Sequence, residues 1–101
     1  MKLGKVVGTV VATQKNEGLV GAKLLVVQDF KLDGSLGASA VVAVDSVGAG
    51  VGEVVLYSAG SSARLTDVTK DRPVDATVVA IVDVVDIGSR VVYSKAKGQA
   101  Q

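Results

Sequence analysis

The alternation of apolar and polar side chains predicts extended strands over most of the chain. In residues 3–13, one parity carries small or apolar residues, beginning with Gly4, Val6 and Gly8, so this segment is predicted to be a strand with a small-residue face. Glycines four residues apart on that face remove side chains where a strongly bent strand approaches its neighbours. This favours a small barrel over a flat sheet. Residues 14–21 are predicted to form a loop.

Further strands, one turn and one short helix are predicted from the same kind of pattern. The strands are expected at residues 22–30, 38–47, 53–58 and 77–85, with an extended segment at 87–93. A turn is expected at residues 33–35, because Asp and Gly adopt the backbone angles that turns require. The two serines that open residues 61–67 are candidate N-caps of a short helical turn. Five strands, one short helix and no helical crossover predict a mainly β fold, a small OB-like β-barrel.

Several predicted strands are apolar on both faces. Residues 40–44, 54–56 and 78–82 carry apolar side chains at every position. One face of each can line a barrel, but the other needs cover, because soluble monomers rarely expose large contiguous apolar patches. A single domain of 101 residues also buries a modest fraction of its surface. We therefore expect the surplus apolar surface to form a subunit interface.

Composition and charge narrow the classes of function. The chain has 23 valines and only 3% aromatic residues, which favours β structure. Eleven basic and ten acidic residues leave a formal net charge of +1, so no overall field attracts nucleic acid or an acidic membrane. Cysteine and histidine are absent, which removes thiolate chemistry and the commonest general base and metal ligand. These features disfavour an enzyme.

Neither a signal peptide nor a membrane-spanning segment is predicted. Glycine and lysine interrupt the amino-terminal residues before an apolar run forms. The apolar run at residues 76–82 is far shorter than the roughly 20 residues of a membrane-spanning helix. We expect the protein to stay inside the cell.

The most conspicuous motif is the glycine-rich segment of residues 48–52. A dinucleotide-binding loop would have to open a helix within a βαβ unit, but a valine-rich strand follows here. A tight turn or a close backbone approach is the preferred interpretation. No cofactor site is assigned.

The acidic and hydroxyl side chains also have ordinary interpretations. Five aspartates lack the spacing of a calcium-binding loop and are interpreted as solvated turn carboxylates: Asp29, Asp33, Asp45, Asp83 and Asp86. Nothing in the sequence supplies the cleft or raised pKa that a catalytic carboxylate pair needs. The polar residues at 61–64 are interpreted as a helix cap rather than an anion site. No catalytic residue and no metal ligand is assigned.

An OB-like barrel leaves single-stranded nucleic-acid binding as the alternative function. Such binding uses a basic groove with aromatic side chains on which bases stack. Phe30, Tyr57 and Tyr93 are the aromatic residues of the chain, and no lysine or arginine cluster surrounds them.

Several longer segments carry a resemblance to a known family. They are residues 3–13, 19–27, 43–55 and 60–64, followed by 74–76 and 81–83. With these segments the chain resembles the pentameric vertex proteins of bacterial microcompartment shells, found in carboxysomes and in ethanolamine- and propanediol-utilisation organelles. The resemblance covers nearly the whole chain.

The resemblance implies a structural role without catalysis or cofactor. It implies a five-stranded OB-like barrel that assembles as a cyclic ring, a homopentamer, in the shell of a microcompartment in the cytoplasm. Its partners would be hexagonal shell proteins, which build the facets, whereas pentamers supply the curvature that closes the polyhedron. Residues 1–94 would form the vertex-type barrel domain, and residues 95–101, which match no family pattern, a flexible carboxyl-terminal tail.

By resemblance, two segments are candidates for the subunit interface or for the lining of the ring axis. Their residues are Val47, Gly48, Ala49, Gly50, Val51, Gly52 and Glu53 in the first segment, and Ser61, Ser62 and Arg64 in the second. Glycine permits close backbone approach near a crowded axis. Glu53 or Arg64 is expected to make charge-assisted contacts across subunits.

Overall fold

The computed structural model describes residues 1–97 and 99–100, with side chains through residue 96. The strands are β1 (Lys2–Val10), β2 (Leu24–Phe30), β3 (Leu36–Asp45), β4 (Val54–Ala59), β5 (Ala76–Ile81), β6 (Val84–Ile87), β7 (Arg90–Ser94) and β8 (Gln99–Ala100). Short 3₁₀ helices lie at Glu17–Leu19, Gly60–Arg64 and Lys95–Lys97. Within the described residues, no helix is long and apolar enough to cross a membrane.

The first five strands close into a barrel in the order β1-β2-β3-β5-β4. β3 and β5 pair in parallel at Val44 with Thr77 and at Asp45 with Val78, whereas the other barrel strands pair antiparallel. This architecture confirms the expected mainly β, OB-like barrel. The predicted helical turn after β4 is present as a 3₁₀ helix.

β1 carries a bulge between Val6 and Gly8. Val6 pairs with Val27, but Gly8 pairs with Val26, so one residue of β1 has no counterpart in β2. Cross-strand partners share a face, and Val27 is buried in the core while Val26 is only half-buried. Gly4 therefore faces the barrel interior and Gly8 faces outward. The prediction that both glycines share one face is wrong, because the bulge reverses the parity.

The barrel core consists of side chains from the inner faces of the strands and of one loop residue. Its buried members are Val6, Leu25, Val27, Ala43, Ala49, Val55, Tyr57, Ala76 and Val78. Gly4 makes room for them, since a Cβ there would overlap Val27 Cγ1 and lie 3.0 Å from Tyr57 Cε1. The expected close approach at a small residue is confirmed for Gly4.

A second, smaller sheet of β6, β7 and β8 follows the barrel. The predicted strand at 77–85 is divided, because the chain leaves the β4 ladder at Asp83, whose carbonyl accepts from the Lys95 amide (2.8 Å). The predicted extended segment at 87–93 contains a hairpin turn, with Gly88 at a φ of 62°. The interpretation of residues 77–93 as one continuous extended stretch is therefore wrong.

The hairpin packs against the barrel through a second apolar cluster. The cluster contains Phe30, Val54, Val92 and Tyr93. The rings of Phe30 and Tyr93 meet edge to face, with centroids 5.9 Å apart. Val54 belongs to this cluster, whereas the next residue, Val55, lies in the barrel core. β4 thus separates two cores.

The carboxyl-terminal segment follows β7 directly. Residues 95–97 form a 3₁₀ helix, and β8 pairs with β7 at Tyr93 and Ser94. Residues 98 and 101 of the predicted flexible tail lie outside the described residues. The domain boundary at residue 94 and the flexibility of the tail stay predictions.

A buried tyrosine in the barrel leads to a test at alkaline pH. Tyr57 is 2% exposed, and its hydroxyl donates to Asp29 Oδ1 (2.9 Å). Burial and this hydrogen bond raise the pKa of Tyr57 to about 12. The tyrosine of the unfolded chain ionises near pH 10, while the folded state keeps its proton, so folding stability should fall as pH rises from 10 towards 12.

Urea unfolding at a series of pH values between 8 and 12 tests this assignment. Tyr57→Phe should lower the free energy of unfolding at pH 8 by about 1 kcal/mol, through the lost hydrogen bond. Above pH 10 the free energy of unfolding of Tyr57→Phe should fall less steeply with pH than that of the parent. A decline above pH 10 that is as steep in Tyr57→Phe as in the parent would contradict the assignment.

Candidate assembly surface

Asp45 anchors the loop that carries the first candidate segment. This loop, residues 46–53, joins β3 to β4. One carboxylate oxygen of Asp45 accepts hydrogen bonds from the amides of Val47 (3.0 Å) and Gly48 (3.1 Å), and the other lies 3.6 Å from Lys23 Nζ. The Asp45 side chain is only 3% exposed. Its interpretation as a solvated turn carboxylate is wrong, because the side chain is buried and its two oxygens face the loop amides and Lys23 instead of water.

The middle of the loop closes onto the barrel. Ala49 is fully buried and packs in the barrel core, and its carbonyl accepts from Lys23 Nζ (2.9 Å). Gly48 and Gly52 have φ angles of 79° and 95°, which other residues adopt only with strain. Val51 is 62% exposed. The loop therefore inserts one small side chain and presents apolar side chains to solvent on either side.

Glu53 fixes the far end of the loop. It accepts a hydrogen bond from the Gly50 amide (2.6 Å) and pairs with Lys95 Nζ (2.7 Å). The Lys95 ammonium and the Gly50 amide hold the pKa of Glu53 below its usual value, and Glu53 in turn raises the pKa of Lys95. The Glu53 carbonyl accepts from the Val6 amide (2.9 Å), which joins the loop to β1. Glu53 thus has polar partners within its own subunit.

The second candidate segment is the 3₁₀ helix Gly60–Arg64. Its N-cap residue is Ala59, and no side chain caps it. The expectation of a serine N-cap is wrong: the Ser62 hydroxyl instead donates to the Ala59 carbonyl (2.9 Å). Ser61, Ser62 and Arg64 are all exposed. They form a polar surface, and the Arg64 side chain makes no hydrogen bond or ion pair to another described residue.

Two buried threonines hold this helix against the barrel. The Ala63 carbonyl accepts from Thr69 Oγ1 (2.7 Å) and from Thr77 Oγ1 (2.6 Å), and all three residues are fully buried. Sequence reasoning singled out neither threonine. Thr77 lies between apolar neighbours in a valine-rich strand, and this pattern could have indicated a buried hydroxyl that needs a hydrogen-bond partner.

The structure does not bring the ten candidate residues into one cluster. The first segment precedes β4 and the second follows it, so the six residues Val54–Ala59 separate them. A strand of that length spans about 20 Å. A cyclic ring joins two different patches of each subunit, so two separate surfaces are compatible with the expected assembly. The contacts of each candidate residue across subunits stay predictions.

The amino-acid sequence matches a known protein family and individual members of it. The profile of the family described as ethanolamine utilisation protein EutN/carboxysome matches residues 1–83. The carboxysome shell vertex protein CcmL of Synechococcus elongatus is 50% identical over 95 residues, which cover 94% of this chain and 96% of that protein. The microcompartment shell vertex protein PduN of Salmonella typhimurium is 53% identical, covering 82% and 96%.

Solved structures agree with the sequence comparison. CcmL of Gloeobacter violaceus superposes with a TM-score of 0.91 at 45% identity, covering 95% of this chain and 99% of that one. GrpN of Rhodospirillum rubrum, described as a pentameric microcompartment shell protein, superposes with a TM-score of 0.78 at 52% identity, covering 86% and 100%. Similarity of this extent in both sequence and fold leads to one conclusion. The chain belongs to the EutN/CcmL family of microcompartment shell vertex proteins.

Proposed function

We propose that this chain is a structural protein that forms the pentameric vertices of a bacterial microcompartment shell in the cytoplasm. The observation that carries the proposal is its similarity over nearly the whole chain to shell vertex proteins, one of which is described as pentameric. The apolar side chains that the subunit leaves exposed support it, since a ring would bury them.

The geometry of shells gives this role a physical purpose. A layer of hexagonal subunits stays flat or rolls into a tube, and fivefold units introduce the curvature that closes it. The proposed partners are therefore other copies of this chain and hexagonal shell proteins. The role requires no catalysis and no cofactor.

Native mass spectrometry of the purified chain tests the ring, and co-expression with hexagonal shell proteins tests the vertex. We expect a dominant pentamer over a wide range of protein concentrations. We also expect closed polyhedra when this chain is present and open sheets or tubes when it is omitted. A stable monomer, or polyhedra that close equally well without the chain, would contradict the proposal.

Arg64 offers a test of the second candidate segment. Its side chain is exposed within the subunit, so Arg64→Ala should leave subunit stability unchanged. Loss of a charge-assisted contact across subunits should raise the concentration at which the ring dissociates by about tenfold or more. Lys70→Ala removes another exposed positive charge and is the control. If the rings of Arg64→Ala, Lys70→Ala and the parent dissociate at the same concentration, Arg64 does not contribute to the interface.

The nucleic-acid alternative receives no support from the structure. Phe30, Tyr57 and Tyr93 are 7%, 2% and 3% exposed, so none of the three aromatic rings is available for stacking on bases.

A further inference from the structure

One edge of β3 has no strand partner over most of its length. Along its other edge, β3 pairs with β2 continuously from Ala40 to Val44 and, after a register shift, again at Leu36. On the open edge, β5 pairs only with Val44 and Asp45. The backbone N–H and C=O groups of residues 37–43 that point away from β2 therefore meet no strand within the described part of the chain.

This open edge is also apolar and exposed. Ala38, Ser39, Ala40, Val41 and Val42 are all exposed, so both faces of the strand are open to solvent here. The exposed fraction reaches 49% for Val42. Residues 34–44 contain no charged residue and no proline.

Such an edge is unusual in a protein that stays monomeric. Soluble proteins protect free strand edges with charged side chains, proline, bulges or a covering segment, because an uncovered edge templates pairing with other chains. Residues 37–43 carry no charged side chain and no proline, and the only irregularity is a register shift against β2 between Leu36 and Ala40, which leaves residues 40–43 in a regular ladder. No strand of the described residues covers this edge, so we look for its cover in another molecule.

A groove beside the edge provides a second observation. Leu24, Val42, Val44, Pro73 and Val74 line an open pocket of about 220 Å³ on the outer face of β3. When an extended segment adds to a sheet edge, main-chain hydrogen bonds supply affinity and pockets for alternate side chains supply specificity. The edge and the groove together have the features of a strand-binding surface.

We propose that the open edge of β3, residues 37–43, pairs with an extended segment of a second copy of this chain in the assembled ring. This inference rests on the proposed function, since the ring brings a copy to every subunit. Another copy covers the edge as soon as subunits fold and meet, whereas a facet protein would arrive only when the shell forms. The paired segment differs from β3 itself, because two β3 edges would pair about a twofold axis and close a dimer instead of a ring.

Hydrogen exchange resolved to single amides tests the pairing directly. If β3 is paired on both edges, all amides of residues 37–43 should exchange slowly. The amides that point away from β2 should be slowed on the order of 100-fold relative to an open edge. If the edge stays open, only alternate amides of residues 40–43 will be protected, because in this regular part of the ladder one half of them bonds to β2.

Native mass spectrometry of the same sample separates this inference from the proposed function. A pentamer with continuous protection of residues 37–43 supports both. A pentamer with alternating protection overturns the edge pairing and leaves the vertex role intact. A monomer with alternating protection overturns both.

A charged substitution gives an independent measurement. Ala40→Lys places on the open edge the kind of residue that soluble proteins use to block pairing, at an exposed position that accommodates it. We expect loss of the pentamer with an unchanged circular dichroism spectrum. Thr13→Lys adds the same charge in an exposed loop and should keep the ring. A pentamer of Ala40→Lys as stable as that of Thr13→Lys would overturn the proposal.

Discussion

Replacement of Gly4 by alanine is expected to destabilise the subunit by about 3 kcal/mol, the upper part of the range for overpacking a well-filled core. The added Cβ would overlap Val27 Cγ1 and lie 3.0 Å from Tyr57 Cε1 and 3.2 Å from the Gln28 carbonyl oxygen. The valine and tyrosine side chains are buried in the barrel core, and the carbonyl belongs to the neighbouring strand, so none of the three can move freely. Urea unfolding measures the loss.

Gly8→Ala is the matched control in the same strand. A Cβ at Gly8 would have its nearest contacts at 3.9 Å, with the side chain of Val26, which is an ordinary packing distance. Because alanine restricts the unfolded chain, this variant should be neutral or more stable by about 0.5 kcal/mol. Equal destabilisation of the two variants would show that backbone freedom, and not space in the core, explains the glycine at position 4.

Replacement of Asp45 by alanine is expected to cost about 3 kcal/mol, because it removes a buried carboxylate and hydrogen bonds to a charged group contribute about 1.5–3 kcal/mol. The amides of Val47 and Gly48 lose their carboxylate oxygen, and Lys23 loses its ion pair. The start of the loop, at Val47 and Gly48, should then loosen, while Ala49 and Glu53 still hold the rest of it against the barrel. We expect faster hydrogen exchange of the Val47 and Gly48 amides and a lower urea midpoint.

Two further variants separate the causes of this loss. Asp45→Asn keeps an oxygen for the loop amides but removes the charge, so its midpoint should lie between those of the parent and Asp45→Ala. Asp33→Ala removes a carboxylate that accepts from Ser35 in a similar turn on the exposed surface, and its midpoint should stay near the parent. A midpoint for Asp33→Ala as low as that for Asp45→Ala would show that burial of the Asp45 carboxylate does not explain the loss of stability.

Local pattern was sufficient to predict the first four barrel strands. Valine-rich segments bounded by glycine or aspartate gave β1 to β4 to within a few residues, because their side chains fit the pleated surface and one face of each is buried. The turn at residues 33–35 also followed from its composition, since Asp33 accepts from the Ser35 amide (2.9 Å).

Most features that sequence reasoning missed depend on contacts between distant segments. The bulge after Val6 depends on the register with β2, and the division of residues 77–85 depends on the contact of Asp83 with Lys95. The burial of Asp45 follows from the position of Lys23 and the loop amides. Gly88-Ser89 between two apolar segments was a readable hairpin signal that the apolar pattern obscured.

β4 lies between two apolar cores, and this position affects how the subunit unfolds. Val54 and Val55 are neighbours in sequence, yet each is fully or nearly fully buried in a different apolar cluster. Unravelling of either cluster removes one wall of the other, so a half-folded subunit with one intact core has little to stabilise it. A growing shell would then encounter subunits that are either fully folded or unfolded. Because the two cores share β4 and unfold together, few partly folded subunits would be available for incorporation at a vertex.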